Sequence, residues 1–246
     1  MNPSGKQRVV IVTGASRGLG RAIALCFGRK GDRVVVNCLN HEQGAADVVA
    51  KIQSLGGEAF SCRADVRINA HVEKMINDTV ERWGTVDVLV NNAGMTRDNV
   101  ILRMTEEDWD DVLATNLTGP FHCVRAVSKI MIGQKQGHIV NIASITGIQG
   151  REGQANYSAS KSGLISFSKA CAQELGHFNI KVNALLPGYI PTDMGDKISD
   201  VVLDRILGEN ALGRVSEPNE VADFIYHLSL MNNVSGQVFN LDSRML

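Results

Sequence analysis

Apolar positions along this chain come in short β-branched runs, separated by longer amphipathic stretches. Arg8 to Thr13 (RVVIVT) is apolar at consecutive positions, the pattern of a strand covered on both faces. A turn rich in glycine follows, Gly14 to Gly20, then a helical pattern through Phe27 that ends near Gly31. Arg33 to Cys38 predicts a second strand, and Gln43 to Leu55 a helix stopped by Gly56-Gly57. Ala59 to Ala64 predicts a strand, Ala70 to Trp83 a helix closed by Gly84, and Val86 to Asn91 a fourth strand. Glu106 to about Ile132 predicts one long helix, opened by a capping pair of Thr105 and Asp108 and carrying Asn116 in its middle. Ile139 to Ile142 is a buried strand ending at Ser144, followed by a polar, Gly-rich loop and a helix with Tyr157 and Lys161. Glu217 to Met231 closes the pattern as a helix, and Gly236 to Leu241 as a strand. Before them, Met194, Ile198, Val202, Ile206 and Leu207 approximate one apolar stripe within the segment Asp193 to Gly213. Such a segment suits a mobile substrate lid and a fixed packing helix equally.

Strand and helix alternating in this way imply an α/β fold, a doubly wound parallel sheet with right-handed crossovers and helices on both faces. No repeat and no low-complexity linker divides the 246 residues, so a single domain is expected. The net charge of −1, without a basic stripe, argues against nucleic acid or an anionic membrane as partner. No apolar run approaches the roughly 20 residues of a membrane span, and the N-terminal MNPSGKQR has no apolar signal region, so a cytoplasmic protein is expected. Cys26, Cys38, Cys62, Cys123 and Cys171 are dispersed without CxxC spacing, which reads as reduced core thiols. The six histidines form no metal-binding pattern, and no metal is expected.

Candidate chemistry lies at the strand ends. Gly14-xxx-Gly18-x-Gly20, between a strand and a helix, makes a phosphate cradle, because glycine lets the backbone approach a pyrophosphate at the helix N-terminus. A site for NAD usually puts a carboxylate at the end of the second strand; here the residues are Asn37, Cys38, Leu39 and Asn40. Arg17, within the cradle, could pair with a 2′-phosphate, so the combination favours NADP over NAD. Asn91-Asn92-Ala93-Gly94 offers small residues on which a ring could pack. Asparagine is a poor residue for a helix interior, so Asn116 beside Gly119 and Pro120 suggests a kink with a purpose. Tyr157 and Lys161 are four apart and share a helix face. An ammonium beside a phenol is expected to lower its pKa from about 10 by roughly 1–3 pH units, making Tyr157 a proton donor or acceptor near neutrality.

These motifs, in this order and at these separations, together with Pro187-Gly188, resemble the classical short-chain dehydrogenase/reductases across nearly the whole chain. Met95-Thr-Arg-Asp98, Arg103-Met104, Gly153-Gln-Ala-Asn156 and Thr192-Asp-Met194 look like the 3-oxoacyl-[acyl-carrier-protein] reductase branch. The resemblance implies a Rossmann-like sheet of about seven strands, a homotetramer, and NADPH-dependent reduction of a 3-oxoacyl thioester on acyl carrier protein or coenzyme A. It implies that Tyr157 protonates the carbonyl oxygen, that Lys161 tunes the tyrosine and holds the nicotinamide ribose, and that Ser144 donates to the substrate oxygen. Asn116 would support a water chain to Lys161. Gly14, Ser16, Arg17, Gly18, Leu19, Gly20 and Asn37 would surround the adenosine phosphates and ribose, and Asp65 and Val66 the adenine. Asn92, Ala93 and Gly94 would line the groove, and Pro187, Gly188, Ile190 and Thr192 the nicotinamide side.

Two departures stand out. The basic residues that dock the carrier protein near the active-site mouth correspond to Lys135, which keeps the charge, and Phe178, which does not. This shifts the balance toward an acyl-CoA or a free ketone. The last strand runs into Asp242-Ser243-Arg244 in place of Asp-Gly-Gly, and serine and arginine resist positive φ. The competing expectations are an alcohol, ketone or 3-hydroxyacyl-CoA dehydrogenase on the same scaffold, and a non-catalytic dinucleotide-binding sensor.

Overall fold

The computed structural model describes residues 7–191 and 200–244, with side chains from Leu203 onward in the second stretch. Seven parallel strands form one sheet in the order β3-β2-β1-β4-β5-β6-β7. They are β1 (Val9–Val12), β2 (Arg33–Cys38), β3 (Glu58–Arg63), β4 (Val88–Asn91), β5 (Gly137–Ile142), β6 (Ile180–Leu186) and β7 (Val238–Asn240). The consecutive apolar run of β1 has the burial it predicts. Val10 and Val12 face one core, Ile11 the other, and none of the three is exposed. On the first face the core is closed by α1 (Gly18–Arg29), α2 (Glu42–Ser54) and α9 (Pro218–Leu228), through Phe27, Ile52 and Ile225. On the second it is closed by α3 (Asn69–Trp83), α5 (Gly119–Gln134) and α7 (Ala155–Leu175), through Met75, Met131 and Cys171. Each such aliphatic or aromatic side chain, fully buried, stabilises the fold by about 1.5–3 kcal/mol.

Strand order reverses at β1, which pairs with β2 on one side and β4 on the other. The crevice outside the carboxyl ends of β1 and β4 is where sheets of this kind bind ligands. At the opposite rim, Arg8 ties three elements together. Its Nε and Nη2 donate to Asp32 at 3.2 and 2.7 Å, and Nη1 donates to Ser229 Oγ at 2.8 Å. The guanidinium lies 5.6 and 5.1 Å from the ring centroids of Phe27 and Tyr226.

Two elements differ from the sequence pattern. The expected long helix is divided into α4 (Glu106–Leu113), a π turn (Ala114–Thr118) and α5. Pro120 has no amide hydrogen for the carbonyl of Asn116, and Gly119 N bonds instead to Ala114 O, five residues back. The helix start is as expected, with Thr105 Oγ1 accepting from Asp108 N at 3.0 Å. Strand β6 has no counterpart in the pattern because Lys181 and Asn183 interrupt its apolar run, although the whole strand is buried. Both polar side chains are satisfied: Lys181 Nζ donates to Asn179 Oδ1 at 2.6 Å and Asn183 Nδ2 to Val234 O at 2.9 Å. No helix among the described residues is long and apolar enough to cross a membrane.

Candidate active site

The turn after β1 is fixed from below. Gly14 N donates to Asn37 Oδ1 at 3.2 Å, and Asn92 Nδ2 donates to Thr13 O and Gly14 O at 3.0 and 3.1 Å. Gly14 has φ +62°, and a Cβ there would stand 2.9 Å from Ala93 Cα. A Cβ at Gly20 would stand 2.3 Å from Gly14 O, so α1 can start this close to the turn only with glycine. Exposed Arg17, at the N-cap of α1, makes no ion pair among the described residues.

Strand β5 ends at Ser144, and the short helix α6 (Thr146–Gln149) returns over α7. Gly147 lets it settle there, since a Cβ would meet the backbone of Lys161 and Ser162 at 2.7 and 2.8 Å. Ser144 stands close enough to Tyr157 for its side chain to draw the phenol's pKa down, while its Oγ accepts from Thr146 N at 3.2 Å. Lys161 Nζ donates to Ile142 O at 2.7 Å and lies 5.5 Å from the centroid of the Tyr157 ring. Asn116, fully buried, gives its Nδ2 to Met95 O at 2.9 Å and Ser160 Oγ at 3.1 Å, and its Oδ1 accepts from Met95 N at 2.9 Å. This holds Gly94 against α7, where a Cβ would lie 3.3 Å from Asn116 Oδ1 and 3.7 Å from Lys161 Nζ.

The electrostatics depart from the expectation for the tyrosine. Burial pushes the Tyr157 phenol above its ordinary value, the Ser144 side chain pulls it back in part, and the charge of Asp98 adds to the rise. The ammonium lies over the ring face and bonds to a carbonyl rather than to the phenol oxygen. Burial brings Lys161 itself down from 10.5 to about 8. The site therefore holds a protonated phenol beside a weakened cation, and a group able to donate a proton is what it offers.

A nucleotide cradle at the topological switch point, with Ser, Tyr and Lys at the neighbouring strand end, agrees with the comparison of sequences. The short chain dehydrogenase family model matches residues 8–202. The chain belongs to this family. Among its relatives are the 3-oxoacyl-[acyl-carrier-protein] reductase of Synechocystis sp., 45% identical over 97% of both chains, and that of Staphylococcus epidermidis, 42% identical over 96% of this chain and 97% of the relative. The Staphylococcus aureus enzyme of the same name is 40% identical over 96% of each.

In this short-chain dehydrogenase, Ser144, Tyr157, Lys161 and Asn116 come together at one strand end, as do Gly14, Ser16, Gly18, Leu19, Gly20, Asn92, Ala93 and Gly94 around the turn. Asn37 takes a different place from the one expected. It is buried, and its Nδ2 donates to Cys62 O and Ala64 O at 3.2 and 3.0 Å, so its side chain braces the turn from beneath. Asp65 is committed to Arg67, which donates to it from Nε, Nη2 and the backbone. Burial would raise that carboxyl, but the hydrogen bonds and charge of Arg67 take it below the usual range. Val66 packs against Gly119, where a Cβ would lie 2.7 Å from Val66 Cγ2. Pro187, Gly188 and Ile190 follow β6 at the same rim, and Thr192 lies outside the described residues.

The two positions expected to dock a carrier protein do not lie at the rim that carries Ser144 and Tyr157 in the same chain. Lys135 and Phe178 neighbour each other, with Asn179 Nδ2 donating to Lys135 O at 3.0 Å, but they precede β5 and β6 at the amino-terminal rim of the sheet. Ser144 and Pro187 leave the same strands at the far rim, a strand length of roughly 20 Å away. Sequence reasoning assigned no task to Asn156. Fully buried, it donates to Arg97 O and Asp108 O at 3.0 Å each and accepts from Tyr157 N at 2.7 Å, which fixes the catalytic helix against the 97–108 segment. Its place directly before Tyr157 was the available signal.

Proposed function

We propose that this short-chain dehydrogenase reduces a 3-oxoacyl thioester, on acyl carrier protein or coenzyme A, to the 3-hydroxyacyl thioester of fatty-acid synthesis, using NADPH. The observation that carries this reading is the grouping of Ser144 beside Tyr157, with the Lys161 ammonium 5.5 Å from the centroid of the phenol ring, at the rim that also bears the glycine cradle. The cradle fits a nicotinamide dinucleotide, because glycine at positions 14 and 20, where a Cβ would meet Ala93 Cα at 2.9 Å and Gly14 O at 2.3 Å, lets the turn pack tightly against the start of α1 and present backbone N–H groups to a pyrophosphate. When bound, that group supplies hydride to the carbonyl carbon. Tyr157 gives its proton to the carbonyl oxygen, and its raised pKa keeps that proton available at neutral pH. Ser144 donates a hydrogen bond to the same oxygen as charge develops there. The nearby ammonium stabilises the phenolate left behind, and at about 8 Lys161 can return a proton to it. Asn116 keeps Gly94-Met95 beside that ammonium and supports the supply of protons to it.

Arg17 supports NADP as the cofactor: it is exposed beside the cradle, and Asn37 puts no carboxylate at the end of β2. The chain works as one domain, residues 200–213 lie on the substrate side, the 193–199 part of that expected segment being outside the described residues, and the enzyme assembles as a homotetramer. Exposed Ile101, Leu102 and Phe121 give such an assembly apolar surface to cover. The test is a panel of acetoacetyl-CoA, acetoacetyl carrier protein and simple ketones, each with NADPH and NADH. Thioester turnover with NADPH is expected, and Tyr157→Phe should lower kcat by about 10²–10⁴ with NADPH binding little changed. Turnover of ketones alone, or binding without turnover of any carbonyl, overturns the proposal.

A further inference from the structure

The Asp242-Ser243-Arg244 tail takes no positive φ, and builds a different turn from the one glycines would make. The Asp242 side chain is 1% exposed. Its Oδ1 accepts from Arg244 N and Asn210 Nδ2, both at 3.0 Å, and its Oδ2 accepts from Arg244 Nε at 2.8 Å and from Nη2. Ser243 Oγ bonds to Asn210 Oδ1 and accepts from Leu212 N at 3.0 Å. Arg244 Nη1 stands 4.0 Å from Glu209 Oε2, and Arg244 O accepts from Asn240 Nδ2 at 3.0 Å.

This knot lies between two parts of the substrate side. Beneath it is Gly188, φ +78°, where a Cβ would stand 3.1 Å from Asp242 Oδ2 and 2.4 Å from Ser216 Oγ. Beside it is the carboxyl end of helix α8 (Asp200–Glu209). That helix buries Ile206 but makes only slight contact with the other helices and strands among the described residues. Its position therefore depends on what holds its ends. A guanidinium fork on a carboxylate is the strongest and most directional of the available tethers.

We propose that Arg244 is a positioning residue for the reaction: through Asp242 and Asn210 it fastens the end of α8 to the Pro187–Ile190 loop, and so sets how the acyl chain is received. This rests on the acyl-thioester reading above. The fork orders Asp242, Asp242 orders Asn210, and the turn after α8 follows. Without the fork, α8 samples positions that bind the acyl group less well, while Ser144, Tyr157 and Lys161 stay in place on β5 and α7.

The experiment compares wild type with Arg244→Ala, Arg244→Lys and the pair Ser243→Gly/Arg244→Gly, by steady-state kinetics and amide hydrogen exchange. Arg244→Ala should raise KM for acetoacetyl-CoA by roughly tenfold with kcat within about twofold, the pattern of lost ground-state binding. Amides of residues 203–213 should exchange faster in that variant, and those of β5 and α7 should not. Arg244→Lys, which keeps the charge without the fork, should recover part of both effects. Unchanged KM and unchanged exchange overturn the proposal. So does a joint fall of kcat and melting temperature that Arg244→Lys does not rescue, since the pair would then be structural only. If wild type reduces no 3-oxoacyl thioester, the functional reading falls, and exchange at 203–213 still decides the tether.

Discussion

Lys161→Met should make the cofactor-free protein more stable at neutral pH while removing its turnover. Lys161 is 4% exposed, and burial takes its pKa from 10.5 to about 8. At about 1.4 kcal/mol per pH unit, keeping the ammonium charged in that place costs about 3 kcal/mol of folding stability. Methionine fills similar volume without the charge, but leaves Ile142 O without the donor now 2.7 Å away, a loss of about 1–2 kcal/mol. The net gain is about 1–2 kcal/mol, or a rise in Tm of roughly 2–8 °C for a domain of this size. The pH dependence has a definite sign. Below pH 8 both native and unfolded chains carry the proton, so the full penalty is present in wild type. Between about 8 and 10.5 the unfolded chain binds more protons than the native one, and wild-type stability from this group rises with pH. The advantage of Lys161→Met should therefore shrink across that interval and turn into a deficit of about 1–2 kcal/mol above it, where only the lost hydrogen bond remains. Calorimetry of the two proteins at pH 7, 8, 9 and 10 measures the difference directly, with titrations common to both cancelling. A variant less stable than wild type at pH 7, or an advantage that does not change with pH, would refute the reasoning.

Gly20→Ala should lower NADPH affinity at least tenfold in a fluorescence titration, because the new methyl would meet Gly14 O at 2.3 Å and Asn92 Nδ2 at 2.5 Å. Arg8→Met should lower the unfolding free energy by about 3–5 kcal/mol in a denaturant titration, since Asp32 is left buried without its partner; a double variant Arg8→Met/Asp32→Leu should recover much of it. Asn116→Ala should cost about 2–4 kcal/mol, as both backbone groups of Met95 lose their side-chain partners. Amide exchange at Gly94 and Met95 should rise in that variant, and unaltered protection there would count against the anchoring of this segment.

Much of the fold was legible because the signals are local. Consecutive apolar residues such as Val9–Val12 suit only a strand covered on both faces, and their alternation with amphipathic stretches dictates a parallel sheet. The cradle was legible because glycine at positions 14 and 20 has few other reasons to stand between a strand and a helix. Tyr157 and Lys161 share a face by helix geometry alone. What sequence spacing could not set was the environment around those groups. Burial raises the phenol, and the ammonium points to Ile142 O, so the tyrosine's shift has the opposite sign from the one that proximity to a cation predicts.

Asn37 and the carrier-docking pair illustrate the same boundary between local and distant information. Asn37 sits at the expected strand end, but contacts with Gly14, Cys62 and Ala64 turn its side chain inward. Lys135 and Phe178 precede β5 and β6, and only the parallel direction of those strands puts them at the rim away from Ser144. Strand β6 is hidden in the sequence because two buried polar side chains break its pattern, one satisfied by nearby Asn179 and the other by distant Val234. The chain by itself thus determined the order of elements apart from β6, and the helix face that Tyr157 and Lys161 share, since both follow from neighbours within a few positions. Tertiary structure alone decided protonation, side-chain direction and the tie between Arg244 and α8, because desolvation and hydrogen bonding there depend on residues well separated along the chain, such as Ile142 for Lys161 and Asn210 for Asp242.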